Sequence, residues 1–170
     1  MGDDLKFKHS FSCVLNGPSG SGKTSFCIRF YENLKKLCTV PDFIGGIVWC
    51  YSEISAIPYH HLAAHSLFHK GVSADFNNCG KNTFLIILDD LLNDAYSKDV
   101  CDQFTKGSHH RNITVILITQ NLFHQGKYCR DVSLDVKYIV VLKNVRDREQ
   151  FFIWRDKYCL TIVKDFRTRI

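Results

Sequence analysis

The sequence lacks the features that would direct a chain into a membrane or out of the cell. None of its apolar runs approaches the roughly 18 consecutive residues that a membrane-spanning helix requires. Residues 1–9 are short and mixed, without the basic stretch and apolar core of a secretory signal. The eight cysteines include no Cys-x-x-Cys pair, and several fall in apolar segments, where cysteine packs as a small apolar residue. We therefore expect no membrane span, reduced thiols and an intracellular location.

Internal repeats, low-complexity segments and linker-like stretches are also missing. The 170 residues, 45% of them hydrophobic, are enough to enclose one sizeable core. A net charge of +5 is moderate and does not by itself indicate a nucleic-acid ligand. We therefore expect a single domain over residues 1–170.

Apolar runs alternate with amphipathic segments along most of the chain. The predicted strands are residues 11–16, 47–51, 84–88, 113–118 and 138–142. The predicted helices are residues 25–37, 58–69 and 99–105. Near-continuous apolar strands that alternate with helices are typical of a parallel sheet buried on both faces. The expected fold class is therefore α/β, with a mainly parallel five-stranded sheet flanked by helices.

The most informative stretch is Gly-Pro-Ser-Gly-Ser-Gly-Lys-Thr at residues 17–24, between the first predicted strand and the first predicted helix. A glycine-rich loop in this context directs main-chain N–H groups and the positive end of the helix at phosphates. Lys23 would add a full charge for the β- and γ-phosphates, and the Thr24 hydroxyl would be a ligand for Mg²⁺. The alternative, a chance glycine- and serine-rich turn, would have to match all eight positions. We predict that a nucleoside triphosphate binds to Gly17, Pro18, Ser19, Gly20, Ser21, Gly22, Lys23, Thr24 and Ser25.

Polar side chains follow two other predicted strands, at the edge where an open parallel sheet binds its ligands. Asp89 is placed to hold Mg²⁺, directly or through water, and Asp90 to polarise an attacking water. Gln120 ends the fourth strand, where its amide can donate to a γ-phosphate oxygen and accept from water. The alternatives are two helix N-caps and a polar strand terminus. The aliphatic run directly before the aspartates favours the catalytic interpretation.

It is harder to assign the basic side chain that would stabilise the negative charge developing on the transferred phosphoryl group. An inserted arginine can raise the rate by about 10³–10⁵. The candidates are Arg111, Arg130, Arg146 and Arg148. Arg111 precedes the fourth predicted strand, where it could face a neighbouring subunit, and a solvated loop arginine is an equally good interpretation.

Two histidines, His61 and His65, stand four residues apart in the second predicted helix. This spacing can place two imidazoles on one metal ion. Two ligands fall short of the usual three or four, and the sequence offers no third. We therefore interpret them as a solvated or partner-facing helix surface.

Together these motifs resemble the FtsK/HerA superfamily of DNA-pumping ATPases. Within it, the sequence is most similar to genome-packaging ATPases of the poxvirus type and their relatives in Polinton and adintovirus-like elements. The matching segments are residues 17–26, 47–53, 85–94, 104–127 and 138–151. The fourth is the most specific. Its strand is preceded by Ser-His-His-Arg-Asn, ends in Thr-Gln-Asn and is followed by Leu-Phe-His-Gln-Gly.

The resemblance implies a RecA-like P-loop NTPase core of the additional-strand type. The strand that ends in Gln120 would lie between the strand before the loop and the strand that ends in Asp89. ATP and Mg²⁺ would be the ligands, with Thr24 and Asp89 at the metal. The implied catalytic residues are Lys23, Asp90, Gln120 and Arg111. Arg111 is the first candidate for the arginine finger, and Arg146 and Arg148 are the next candidates.

The resemblance also implies partners. It predicts a ring-shaped homo-oligomer, with a hexamer expected, that drives double-stranded DNA without sequence preference into a capsid. A capsid or portal component would be a further partner, in the host nucleus or cytoplasm at the site of virion assembly. The motor motifs would be residues 17–24, 85–90 and 111–121.

The chain departs from the family pattern in two places. Asp90 stands where the wider superfamily usually has glutamate. Residues 152–170 do not match the further helix and strands of family members, so this end is expected to be atypical or truncated.

Two other functions compete with a DNA motor. A small nucleoside or nucleotide kinase has a similar loop and length, but it needs an arginine-rich lid, and residues 98–127 contain only Arg111. A non-catalytic module that binds ATP to stabilise an assembly would not need Asp90 and Gln120.

Overall fold

The computed structural model describes residues 6–40, 46–52, 66–71, 84–89, 91, 112–120 and 136–142. Within these ranges the strands are β1 (Ser12–Asn16), β2 (Gly46–Tyr51), β3 (Ser66–Lys70), β4 (Phe84–Asp89), β5 (Ile113–Thr119) and β6 (Tyr138–Val141). Two helices, α1 (Lys23–Glu32) and α2 (Leu34–Leu37), follow β1. The predicted helix over residues 99–105 lies outside the described residues.

The strands form one parallel sheet in the order β3-β2-β4-β5-β1-β6. The expected α/β class and mainly parallel sheet are confirmed, with six described strands rather than five. β5, the strand before Gln120, lies between β1 and β4, as the resemblance implies. Because parallel strands run in the same direction, the segments that follow β4, β5 and β1 emerge side by side at one edge.

The prediction of a helix over residues 58–69 is wrong for residues 66–69. These residues belong to the edge strand β3, which pairs with β2 from Ile47 and Ser66 to Tyr51 and Lys70. Residues 58–65, which include both histidines, lie outside the described residues. This five-residue segment places one large apolar side chain on each face, so its hydrophobic pattern does not distinguish a strand from a helix. Pairing with β2, which local sequence does not reveal, decides its structure.

The described sheet is buried on both faces. One face packs with α1 and α2 in a cluster formed by Phe11, Cys13, Leu15, Phe26, Cys27, Phe30, Leu34, Cys38, Ile47, Trp49, Leu85, Ile87, Ile116 and Ile118. On the opposite face, the apolar side chains no more than 2% exposed are Val14, Cys50, Ile86, Leu88, Ile113, Val115 and Leu117. Burial on both sides explains why these strands are almost continuously apolar in sequence.

The helix predicted over residues 25–37 forms with an interruption at Asn33. The Asn33 side chain donates to the carbonyl oxygen of Arg29 at 2.9 Å, and its main-chain N–H donates to the same oxygen at 3.1 Å. The amphipathic pattern predicts that Phe26, Phe30, Leu34 and Leu37 share one apolar face; the first three are buried and Leu37 is partly buried against the same core. Within the described residues, no helix is long and apolar enough to cross a membrane.

Four cysteines lie in the described ranges, all buried reduced thiols: Cys13, Cys27, Cys38 and Cys50. Burial raises the pKa of Cys13 to about 12 and that of Cys38 to about 11, because the apolar core cannot solvate a thiolate. Burial also raises the pKa of Cys27 well above its usual value, and the nearby charge of Asp89 adds to this shift. The sequence-based expectation that cysteines in apolar segments pack as small apolar residues is thus confirmed for these four.

We predict that the free energy of unfolding falls as the pH rises above about 8.5 in the presence of a reductant. The unfolded chain then loses thiol protons, whereas native Cys13 keeps its proton up to a pKa of about 12. The stability that the Cys13 thiol contributes is fully present below its pKa in the unfolded chain. It is lost as the pH rises from that value toward the pKa in the folded protein. Urea denaturation at a series of pH values measures the slope.

The matched variants for this measurement are Cys13→Ala and Val14→Ala, which shorten neighbouring buried side chains on opposite faces of β1. Cys13→Ala should reduce the slope by up to about 1.4 kcal/mol per pH unit, and Val14→Ala should leave it unchanged. Equal slopes in the two variants would contradict the assignment to Cys13.

Candidate functional site

The loop after β1 is tied by main-chain hydrogen bonds to the strands on either side. The Gly17 N–H donates to the Thr119 carbonyl at the end of β5 at 3.3 Å. The Leu142 N–H, just after β6, donates to the Asn16 carbonyl at 2.8 Å. Within the loop, the Ser21 N–H donates to the Pro18 carbonyl at 3.2 Å. The start of the loop is thus fixed against β5, directly before Gln120.

The backbone of the loop requires glycine at two positions. Gly20 and Gly22 have φ angles of +74° and +92°, in the left-handed region that L side chains rarely adopt. Gly22 precedes α1, no side chain caps this helix, and its first turn carries no acidic residue. The positive end of α1 is therefore available to an external anion.

The Lys23 ammonium is held against the loop itself. Its Nζ donates to the carbonyl oxygens of Gly17 at 2.7 Å and Pro18 at 2.9 Å, and the side chain is partly buried. These bonds position a full positive charge beside the N-terminus of α1. Positive charge and helix dipole act in the same direction on a bound phosphate.

The residues at the loop fit a polyanionic ligand in one further respect. Two of their buried side-chain oxygens, Ser21 Oγ and Asn16 Oδ1, have no hydrogen-bond partner among the described residues. A buried polar atom without a partner costs about 1–3 kcal/mol. The Ser21 hydroxyl can donate to a phosphate oxygen, which would remove this cost.

Asp89 ends β4 on the face of the sheet that α1 covers. Its charge contributes to the raised pKa of Cys27, which lies one turn after Thr24 on α1. Residues three apart share a helix face, so the carboxylate lies near the side of α1 that carries Thr24. Carboxylate and hydroxyl oxygens are the ligands that Mg²⁺ takes in proteins. In the described ranges, no group of three His, Cys, Asp or Glu side chains could hold a metal ion.

The structure brings most of the predicted nucleotide site to one edge of the sheet. In the loop and first turn, Gly17 is buried, Pro18, Ser21, Lys23 and Thr24 are partly buried, and Ser19, Gly20, Gly22 and Ser25 are exposed. Gln120 is exposed after β5, between the loop and Asp89 in the strand order. The predicted residues outside the described ranges are Asp90, Arg111, Arg130, Arg146, Arg148, His61 and His65.

Sequence reasoning missed one contact at this site. The indole N–H of Trp49, on β2, donates to Asp89 Oδ2 at 3.3 Å. In the sequence Trp49 reads only as part of an apolar strand. Among the side chains of residues 46–50, only the Trp49 N–H needs a hydrogen-bond partner when it is buried. This requirement could have indicated that Trp49 contacts a polar group on a neighbouring strand.

The sequence is similar to poxvirus proteins. Over 131 residues, 69% of the chain, it is 28% identical to the DNA packaging protein OPG160 of monkeypox virus. Identity and coverage are the same for the proteins of this name from variola virus and from vaccinia virus strain Copenhagen. The chain spans 43% of the monkeypox protein and 48% of the other two. No family model matches the chain.

The fold is similar to that of the genome packaging NTPase B204 from Sulfolobus turreted icosahedral virus 2. The structure of B204 with AMPPCP matches at a TM-score of 0.53 and 17% identity, over 87% of this chain and 81% of B204. The structure with ATP-gammaS matches at a TM-score of 0.51 and 18% identity, over 87% of this chain and 80% of B204. The α/β fold of this chain is therefore that of a P-loop NTPase.

We expect Gly17→Ala to weaken nucleotide binding by about tenfold or more. An added Cβ would lie 2.6 Å from Ser21 Oγ and 3.0 Å from Leu142 Cβ, so the loop would have to move away from β6. Titration with a fluorescent ATP analogue measures the affinity.

The control for this variant is Gly71→Ala, which follows β3. Gly71 also has a positive φ, +78°, but a Cβ there meets nothing within 4 Å. This variant should lose some stability and keep the wild-type affinity. Wild-type affinity in a folded Gly17→Ala protein would contradict the close packing of the loop.

Proposed function

We propose that this chain is an ATP-hydrolysing motor domain of the FtsK/HerA superfamily that packages the double-stranded DNA genome of a virus or virus-like element. The observation that carries the proposal is the order β4-β5-β1, which gathers Asp89, Gln120 and the loop at one edge of the sheet. Similarity to poxvirus DNA packaging proteins and to the fold of a viral genome packaging NTPase supports it.

In the proposed reaction, the triphosphate binds to residues 17–25 through main-chain N–H groups and the N-terminus of α1. Lys23 turns from the Gly17 and Pro18 carbonyls, 2.7 and 2.9 Å away, to the β- and γ-phosphate oxygens. A Mg²⁺ ion held by Thr24 and Asp89 would neutralise part of the phosphate charge. These residues bind and orient the substrate, which is most of what phosphoryl transfer requires of a protein.

Two further groups act on the attacking water. Asp90 accepts a hydrogen bond from the water and polarises it, and the Gln120 amide orients it toward the γ-phosphate. Gln120 directly follows Thr119, whose carbonyl accepts the hydrogen bond from Gly17. Movement of the loop on nucleotide binding is thereby coupled to the position of the Gln120 amide.

The proposed working unit is a ring of identical subunits, expected to be a hexamer. Arg111 from one subunit reaches the nucleotide of its neighbour and stabilises charge on the transferred phosphoryl group. The ring contacts DNA phosphates rather than bases, so its affinity depends on salt and not on sequence. A capsid or portal component anchors the ring at the intracellular site of virion assembly, in the host nucleus or cytoplasm.

We predict that the oligomeric protein hydrolyses ATP and that double-stranded DNA raises the rate. Lys23→Ala and Asp90→Asn should each lower the rate by about 100-fold or more, since each removes a group that acts on the γ-phosphate or the water. Lys36→Ala, an exposed position on α2, is the control and should retain the wild-type rate. Phosphate release with and without duplex DNA, at two salt concentrations, is the measurement.

Three outcomes would contradict this proposal in distinguishable ways. Equal rates with and without DNA in an oligomeric sample would exclude a DNA-stimulated motor. Transfer of phosphate to a nucleoside or nucleotide would instead identify a kinase. Binding of ATP without turnover, unchanged by Asp90→Asn, would identify an assembly module.

We predict that Arg111→Ala lowers the rate by about 10³-fold while ATP still binds. Mixing this variant with Lys23→Ala should restore part of the activity, because one subunit then offers an intact loop and its neighbour an intact arginine. Arg29→Ala, an exposed arginine on α1, is the control and should need no complementation. An absence of rescue in mixed rings, with mixing shown by mass spectrometry, would exclude action between subunits.

A further inference from the structure

Trp49 is the largest fully buried side chain in the described residues, and it directs its one polar atom at the candidate metal site. It is 1% exposed, and its indole N–H donates to Asp89 Oδ2 at 3.3 Å. Trp49 on β2 pairs with Ile87 on β4, and Asp89 lies two residues further along β4. The indole ring therefore extends along the sheet toward the carboxyl end of β4.

The indole is held in place independently of Asp89. Its ring packs against Phe68 on β3, with 6.5 Å between centroids, and it belongs to the cluster that includes Ile87 and Cys27. Packing on both sides fixes the ring, and therefore the direction of its N–H. Phenylalanine could occupy most of the same space, so the N–H is what sets tryptophan apart at this position.

A neutral donor has a different effect on a carboxylate than a cation does. A lysine or arginine at this position would neutralise Asp89 and compete with a metal ion for it. The indole N–H orients the carboxylate and leaves its charge in place. Asp89 also lies near enough to the fully buried Cys27 to raise its pKa, which places the carboxylate beside a poorly solvated region where such a bond is strengthened.

We propose that Trp49 is a positioning residue for Asp89: its N–H fixes the plane of the carboxylate that would hold the Mg²⁺ accompanying ATP. The inference rests on the proposed nucleotide-binding function. Hydrogen bonds of this kind orient metal ligands, and their loss typically weakens metal affinity.

The first test is Trp49→Phe, with Phe68→Leu as its matched control. Trp49→Phe should raise the Mg²⁺ concentration for half-maximal ATP hydrolysis by about tenfold and leave Mg²⁺-free nucleotide binding unchanged. Phe68→Leu shortens a neighbour of the indole but keeps an apolar side chain against the ring and leaves the N–H in place, so it should lower the melting temperature and keep the wild-type Mg²⁺ dependence. If both variants lose stability and neither changes the Mg²⁺ dependence, Trp49 is a core residue only and the inference is overturned.

The second test needs no change at Trp49 and decides the matter if Trp49→Phe fails to fold. The sequence has two tryptophans, so in Trp154→Phe all tryptophan emission comes from Trp49. Adding Mg²⁺ to this variant with bound non-hydrolysable ATP analogue should change that emission, and the further substitution Asp89→Asn should abolish the change. Nucleotide binding with no Mg²⁺-dependent change overturns this inference alone. An absence of any nucleotide binding overturns the proposed function as well.

Discussion

The position of β5 between β1 and β4 is the constraint on which the candidate site depends. Asn16, Asp89 and Thr119 are far apart in the sequence, yet each ends one of three adjacent parallel strands. The hydrogen bond from Gly17 to Thr119 extends the pairing of β1 and β5 by one step into the loop. The loop at residues 17–24 and β5 are therefore joined mechanically, and the candidate site does not have to be assembled from independent loops.

The stiffness of this unit comes from burial. All seven residues of β5 are buried, and so are all five of β1, which means that neither strand can shift without disturbing core contacts on both faces. Burial decreases toward the edges: Leu67 on β3 is 71% exposed, and the four residues of β6 are only partly buried. The candidate site thus lies on the most constrained strands, where a displacement of its groups is most costly.

Sequence alone reaches the parts of this structure that follow from local pattern. The strands buried on both faces are predictable because their runs are almost purely apolar, and the loop is predictable because eight positions must each meet a physical requirement. β3 is not predictable, because Phe68 is its one side chain packed on the core cluster and its pairing with β2 is a tertiary choice. The strand order came from family resemblance rather than periodicity. The Trp49 contact could not be predicted because it depends on β2 lying beside β4. The roles of all the predicted site residues, among them Lys23, Asp90 and Arg111, remain predictions.

The electrostatics of the site share one principle, which links the loop to the Trp49 contact. Lys23 donates to two carbonyl oxygens and Asp89 accepts from an indole N–H, and these three partners are neutral. A neutral partner fixes the direction of a charged group without cancelling its charge. The N-terminus of α1 follows the same rule, since Gly22 precedes it and no acidic side chain lies in its first turn. In the proposed reaction the N-terminus of α1 needs no rearrangement, and Lys23 exchanges hydrogen bonds to two neutral carbonyl oxygens for the stronger attraction of a phosphate.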